Sequence, residues 1–172
     1  MRKSCLVACT ALSAAAVARA PAIPTEIQVP SGEQLVLKAH ATGFQVYACT
    51  VAADQSVSWA LKAPEAELRD RRGALVGKHF AGPTWEYKDG SRVGGKAASH
   101  ADSPERDSIP WLLVSATTHS GDGLFARVSS IQRINTHGGK PPADTECTTE
   151  KAGAEARVRY SADYLFYAAP EK

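Results

Sequence analysis

A chain of 172 residues, 44% of them hydrophobic, is long enough to bury one self-sufficient core, and a second domain is not expected. Its formal net charge of +2, from 20 basic and 18 acidic residues, leaves no basic footprint for nucleic acid. No stretch reaches the roughly 18 apolar residues that a spanning helix needs, so no stable membrane insertion is expected.

Residues 1–18 read as a secretory signal peptide: Arg2 and Lys3 precede a short, Ala-rich apolar run that ends in small residues. Cleavage is expected after Ala18, with a second frame after Ala20, just ahead of Pro21. A lipoprotein reading of Leu6-Val7-Ala8-Cys9 fits less well, because Cys9 comes before most of the apolar run. The address is therefore exported, periplasmic or extracellular. Removing Arg2 and Lys3 takes the 20 basic residues to 18, against 18 acidic ones, so the processed chain is close to neutral. The same step removes Cys5 and Cys9. Cys49 and Cys147 remain, and in an oxidising compartment they are expected to form a disulfide, with two free buried thiols as the alternative.

Three prolines within residues 20–30 predict an extended lead-in over 19–30, followed by a single β-rich domain over 31–170. Leu35, Leu37 and Ala39 alternate with polar neighbours, as do Phe44, Val46 and Ala48, so 33–51 is predicted to be a hairpin turning at Ala41-Thr42-Gly43. Further strands are expected at 59–62, 84–88, 92–97, 111–116 and 124–134, separated by Asp70-Arg71-Arg72-Gly73, Asp89-Gly90 and Gly121-Asp122-Gly123. Trp111-Leu112-Leu113-Val114 is apolar on both parities and should be covered on two sides. Leu124, Val128 and Ile131 have helical spacing, and a strand there needs a bulge near Ser129 or Ser130. Ser103-Pro104-Glu105 looks like the start of a helix of about one turn. The strongest alternation is C-terminal, where Ala156, Val158, Tyr160, Ala162, Tyr164 and Phe166 share one parity. The fold class is all-β and mainly antiparallel, a β-sandwich or barrel of about 8–10 short strands with little helix.

Several of these stretches together resemble a known family. Gly43-Phe44-Gln45-Val46-Tyr47-Ala48-Cys49, Gly77-Lys78-His79-Phe80-Ala81-Gly82-Pro83-Thr84-Trp85-Glu86, Asp89-Gly90-Ser91, Ile109-Pro110-Trp111-Leu112-Leu113, Ile131-Gln132-Arg133-Ile134-Asn135-Thr136 and Tyr160-Ser161-Ala162-Asp163-Tyr164 are similar to the secreted bacterial and fungal family catalogued as domain of unknown function 3455. The resemblance implies an exported β-rich domain with a cysteine pair at positions like Cys49 and Cys147, and no established activity. Some fungal relatives carry a malate dehydrogenase label. The chain has neither the G-x-G-x-x-G turn nor the βαβ alternation that a nicotinamide dinucleotide requires, and no cofactor is expected.

Catalytic motifs are sparse. There is no G-x-S-x-G elbow, no S-x-x-K set and no H-E-x-x-H. The densest chemistry lies in residues 79–91, where His79, Trp85, Glu86, Asp89 and Ser91 fall within 13 positions. Trp85, Asp89, Ser91 and His137 are the candidate ligand-binding residues, for a small molecule, a glycan or a protein. His79 with Glu86 or Asp89 is the candidate acid–base pair if the protein is an enzyme. His79 and His137 are the candidate metal ligands, although no two histidines have i,i+2 or i,i+4 spacing. Asp163, on the polar parity of its strand, is expected to pair with Arg133, Arg157 or Arg159. A binding or surface-interaction module fits this inventory better than an enzyme does.

Overall fold

The structure is a computed structural model that describes residues 22–170. The signal segment 1–18 and both cleavage frames lie outside the described residues. Eight strands follow in order: β1 Gln34–Val51, β2 Val57–Arg69, β3 Leu75–Phe80, β4 Thr84–Tyr87, β5 Arg92–Ala101, β6 Trp111–Ser120, β7 Val128–Gly138 and β8 Glu155–Ala168. Each pairs antiparallel with its chain neighbours, and β8 returns to β1, so the sheet closes into an up-and-down barrel. Of the two architectures predicted, the barrel is the one formed, and closure removes most of the sheet edges that a sandwich would have to protect. Among the described residues no helix is long and apolar enough to cross a membrane.

Alternation decides what fills the interior. On β8, Tyr160, Ala162, Tyr164 and Phe166 are buried within the barrel, while Arg157 and Arg159 on the opposite parity are exposed and lie over the Phe44 ring. A 3-10 turn, Leu124–Arg127, sends Phe125 into the same core, where it stacks on Phe166 at 4.4 Å. The predicted double coverage of 111–114 is also observed. Val114 and Leu112 join the interior cluster, while Trp111 and Leu113 join a second cluster with Ile27 and Ile134. The lead-in supplies Ile27 from a 3-10 turn, Thr25–Ile27, fastened by Gln132 Nε2 donating to the Ile27 carbonyl at 2.6 Å.

Four local expectations need correction. Residues 33–51 form one strand of 18 residues, not a hairpin. Gly43 is no turn residue: a Cβ there would lie 2.0 Å from the Glu65 carbonyl oxygen, so glycine is required by the close approach of β2. β3 had no predicted counterpart, because Gly77 and His79 break its short alternation. Within 124–134, the helical spacing belongs to the 3-10 turn, and the predicted bulge appears as a register shift between Val128 and Ser130. No helix forms at 103–105, where the Ser103 hydroxyl accepts from the Glu105 amide at 3.2 Å and closes a tight bend instead.

Cys49 and Cys147 are joined in a disulfide across a sequence separation of 98. The bond ties the β7–β8 connection to β1, and two side chains reinforce the attachment. Tyr47 Oη donates to the Gly139 carbonyl at 2.6 Å, and Trp59 Nε1 donates to the Ala143 carbonyl at 3.3 Å.

Candidate ligand-binding cavity

The barrel wall is uneven, and the unevenness follows from strand length. β3 and β4 have only 6 and 4 residues. Pairing of β2 with β3 ends at Ala66↔His79, that of β3 with β4 at Phe80↔Thr84, and that of β4 with β5 at Thr84↔Gly94. Residues 57–65 of β2 and 95–101 of β5 therefore run on with no strand between them. Pro64 sits in this stretch, paired only with Gln45 of β1, and its missing N–H costs no ladder bond on the open side.

A cavity of about 470 Å³ is bounded by this gap. Its buried wall comprises Gln45, Pro64, His79, Trp85, Val114 and Tyr164, with Leu112 and Arg133 half-buried; Leu61, Lys62, Lys96 and Ala97 form the exposed part. Leu61 is 55% exposed, one of three large hydrophobics left open to solvent among the described residues. The volume falls in the range usual for small-molecule sites, and the wall is mostly apolar.

His79 is the buried titratable ring of the cavity. It stacks on Trp85 with ring centroids 4.2 Å apart and meets the edge of Tyr164 at 5.2 Å. Its Nδ1 lies 2.9 Å from the Thr84 carbonyl oxygen. A carbonyl only accepts, so Nδ1 carries the proton and Nε2 keeps a lone pair. Burial pushes its pKa down to about 3, and the Arg133 charge acts in the same direction against the Thr84 bond. The ring is therefore neutral at physiological pH.

Polar residues are few around the cavity, and three of those lining it carry an unmatched polar atom. Gln45 Nε2, Trp85 Nε1 and Tyr164 Oη are buried with no partner in the protein, and the three residues are 2%, 2% and 1% exposed. Buried donors of this kind call for an acceptor, from solvent or from a ligand. Arg133 stands beside them. Ile131 points into the core, while Gln132 bonds Ile27 and Ile134 packs in the outer cluster, so strand alternation turns Arg133 inward. Its Nε and Nη2 donate to the Pro110 carbonyl at 3.2 and 2.8 Å. Among the described residues no carboxylate pairs with it.

The other predicted site residues lie elsewhere. Glu86 is on the strand face opposite Trp85 and pairs outward with Lys78 at 3.1 Å and Arg92 at 2.5 Å. The hydrogen bond from Lys78, with that from Arg92, holds its carboxyl below the usual range despite some desolvation. Asp89 is a turn anchor. Its Oδ1 accepts from the Ser91 hydroxyl at 2.6 Å and the Ser91 amide at 2.8 Å, and its Oδ2 accepts from the Leu124 amide at 2.8 Å. Ser91 in turn accepts from the Phe125 amide at 2.9 Å, so Asp89 and Ser91 hold the turn that plugs the core with Phe125. The acid–base pair of His79 with Glu86 or Asp89 is not assembled. Alternation sends Glu86 to the outside, and the Asp89 oxygens are spent on the turn.

His137 is exposed and borders a separate hollow with Ser103, Trp111 and Thr136, so it does not converge with His79 on a metal. Among the described residues no group of three or more His, Cys, Asp or Glu is arranged to hold a metal ion. Asp163 pairs with Lys38 at 3.0 Å and His40 at 2.9 Å and accepts from Asn135 at 3.0 Å, in place of the predicted arginines. Desolvation raises its pKa, but the bonds from His40, Asn135 and Lys38 outweigh it and the net shift is downward. Of the predicted site residues, His79 and Trp85 are brought together. Sequence reasoning missed Gln45, Leu112, Tyr164 and Arg133 as cavity residues. The one available signal was Arg133 itself, a cation on the same parity as Ile131 in an apolar strand.

Comparison with known proteins yields one match: the family described as Protein of unknown function (DUF3455) covers residues 30–168. No curated protein and no solved structure matches the chain.

Proposed function

The chain belongs to the family of unknown function DUF3455, and we propose that it is an extracytoplasmic binding protein that holds one small, largely apolar molecule in the cavity between β2 and β5. The observation that carries this reading is the pairing of a mostly apolar 470 Å³ cavity with the unmatched buried donors Gln45 Nε2 and Trp85 Nε1. An apolar wall supplies affinity, and a few fixed polar groups supply orientation. An eight-stranded barrel is of a size to hold one small ligand at an unfilled end. Binding is favoured over catalysis because the neutral His79 ring bonds a backbone carbonyl and not an acid. Location outside the cytoplasm draws support from the Cys49–Cys147 bond and from the leader-like residues 1–18.

The test is titration with N-phenyl-1-naphthylamine, a neutral dye that brightens in apolar surroundings. Saturable enhancement at one site is expected, weakened several-fold by Ala97→Trp, a substitution at an exposed wall position that leaves the core untouched. No enhancement up to the dye's solubility limit, or enhancement indifferent to Ala97→Trp, overturns the reading.

A further inference from the structure

We propose that the ligand of this cavity is an organic anion, a carboxylate or sulfonate head on an apolar, ring-bearing body. This rests on the binding reading above and adds the charge class. The first observation is the composition of the wall: Lys62, Lys96 and Arg133 contribute to it, and no Asp or Glu does. Of the three, Lys62 has an external partner, Glu155, and Lys96 has none among the described residues.

The second observation is Arg133. A guanidinium turned into a barrel interior bears a desolvation penalty, and such groups are normally met by a carboxylate. Here the bonds to the Pro110 carbonyl use Nε and Nη2, which leaves further N–H donors of the five without a carboxylate to meet. The third observation is the sense of the unmatched atoms. Gln45 Nε2 and Trp85 Nε1 are donors, as is every hydrogen of Arg133, and the third unmatched group, the Tyr164 hydroxyl, donates as well as accepts. A donor-rich, acid-free cavity matches a head group that only accepts, and guanidinium with carboxylate is a strong, oriented pair of that type. The rings of His79, Trp85 and Tyr164, already packed face and edge, form an aromatic wall for a planar body.

Calorimetric titration of the disulfide-intact protein at pH 7 with three naphthalenes of like size tests the assignment: 2-naphthoate, 2-naphthalenemethanol and 2-(aminomethyl)naphthalene. The carboxylate is expected to bind tighter than the alcohol by about tenfold or more, with the ammonium weakest. Arg133→Gln is expected to erase the carboxylate's advantage while leaving the alcohol's affinity in place. The order of the three ligands on the unaltered protein is decisive even where that variant fails to fold. Equal binding of all three, or an ammonium at least as tight as the carboxylate, overturns the anion assignment and leaves the binding reading standing. Binding of none removes both.

Discussion

Replacing Cys49 and Cys147 together by alanine is expected to lower the unfolding free energy by about 4 to 5 kcal/mol, the chain-entropy value for a closed loop of roughly 100 residues. The separation of 98 spans most of the barrel, from near the C-terminal end of β1 to the connection before β8. Opening it releases the β7–β8 connection from β1, while the β1–β8 ladder that closes the ring keeps its own pairing. Both cysteines are 2% exposed, so alanine also forfeits some packing. Urea unfolding of the oxidised protein and the double variant gives the difference directly, with the m-value reporting any change in the unfolded ensemble. A loss under about 1 kcal/mol would mean that the bond does not constrain the chain in the way described.

Acidification is the second large effect, and its sign follows from His79. The folded-state pKa is about 3, against 6.5 for the free ring, so between those values the unfolded chain binds a proton that the folded chain refuses. The contribution is fully present above pH 6.5 and is lost as the pH falls toward 3. Going from pH 7 to pH 5 is expected to remove about 2 kcal/mol, at a limiting slope of about 1.4 kcal/mol per pH unit. Asp163 behaves separately. Its lowered pKa gives stability that is present above the ordinary aspartate range and lost only below it, so a comparison confined to pH 5–7 leaves it silent. Chemical denaturation at both pH values, repeated with His79→Gln, isolates the ring. An undiminished loss in the variant would show that His79 is not the group responsible.

Much of the architecture was legible because period-two alternation is a direct record of burial. The run from Tyr160 to Phe166 and the doubly apolar 111–114 could be placed without coordinates, and the structure puts them where alternation says. The long β1 was not legible. Gly43 in a turn and Gly43 against a closely paired strand look identical in one dimension, and only the nearness of the Glu65 carbonyl tells them apart. β3 escaped notice for a related reason: its inward residues are Val76 and a histidine, and a buried histidine reads as a polar position.

The site was half legible. Residues 79–91 drew attention through chemical density, but density along the chain is not convergence in space. Trp85 and His79 face inward together, whereas Glu86, one residue from Trp85, faces outward, and Asp89 anchors a turn. Gln45, Arg133 and Tyr164 come from three other strands and meet His79 only because the barrel closes. Strand pairing, not spacing, creates the cavity.

The most direct measurement of the central claim is the indole N–H spectrum of ¹⁵N-labelled protein during titration with 2-naphthoate. Trp59 Nε1 already donates to the Ala143 carbonyl, whereas Trp85 Nε1 has no protein partner. With signals assigned by Trp85→Phe, the Trp85 resonance is predicted to move downfield and saturate with the binding isotherm while the Trp59 resonance stays fixed. A Trp85 signal that does not respond while ligand binds would place the ligand elsewhere and contradict the account.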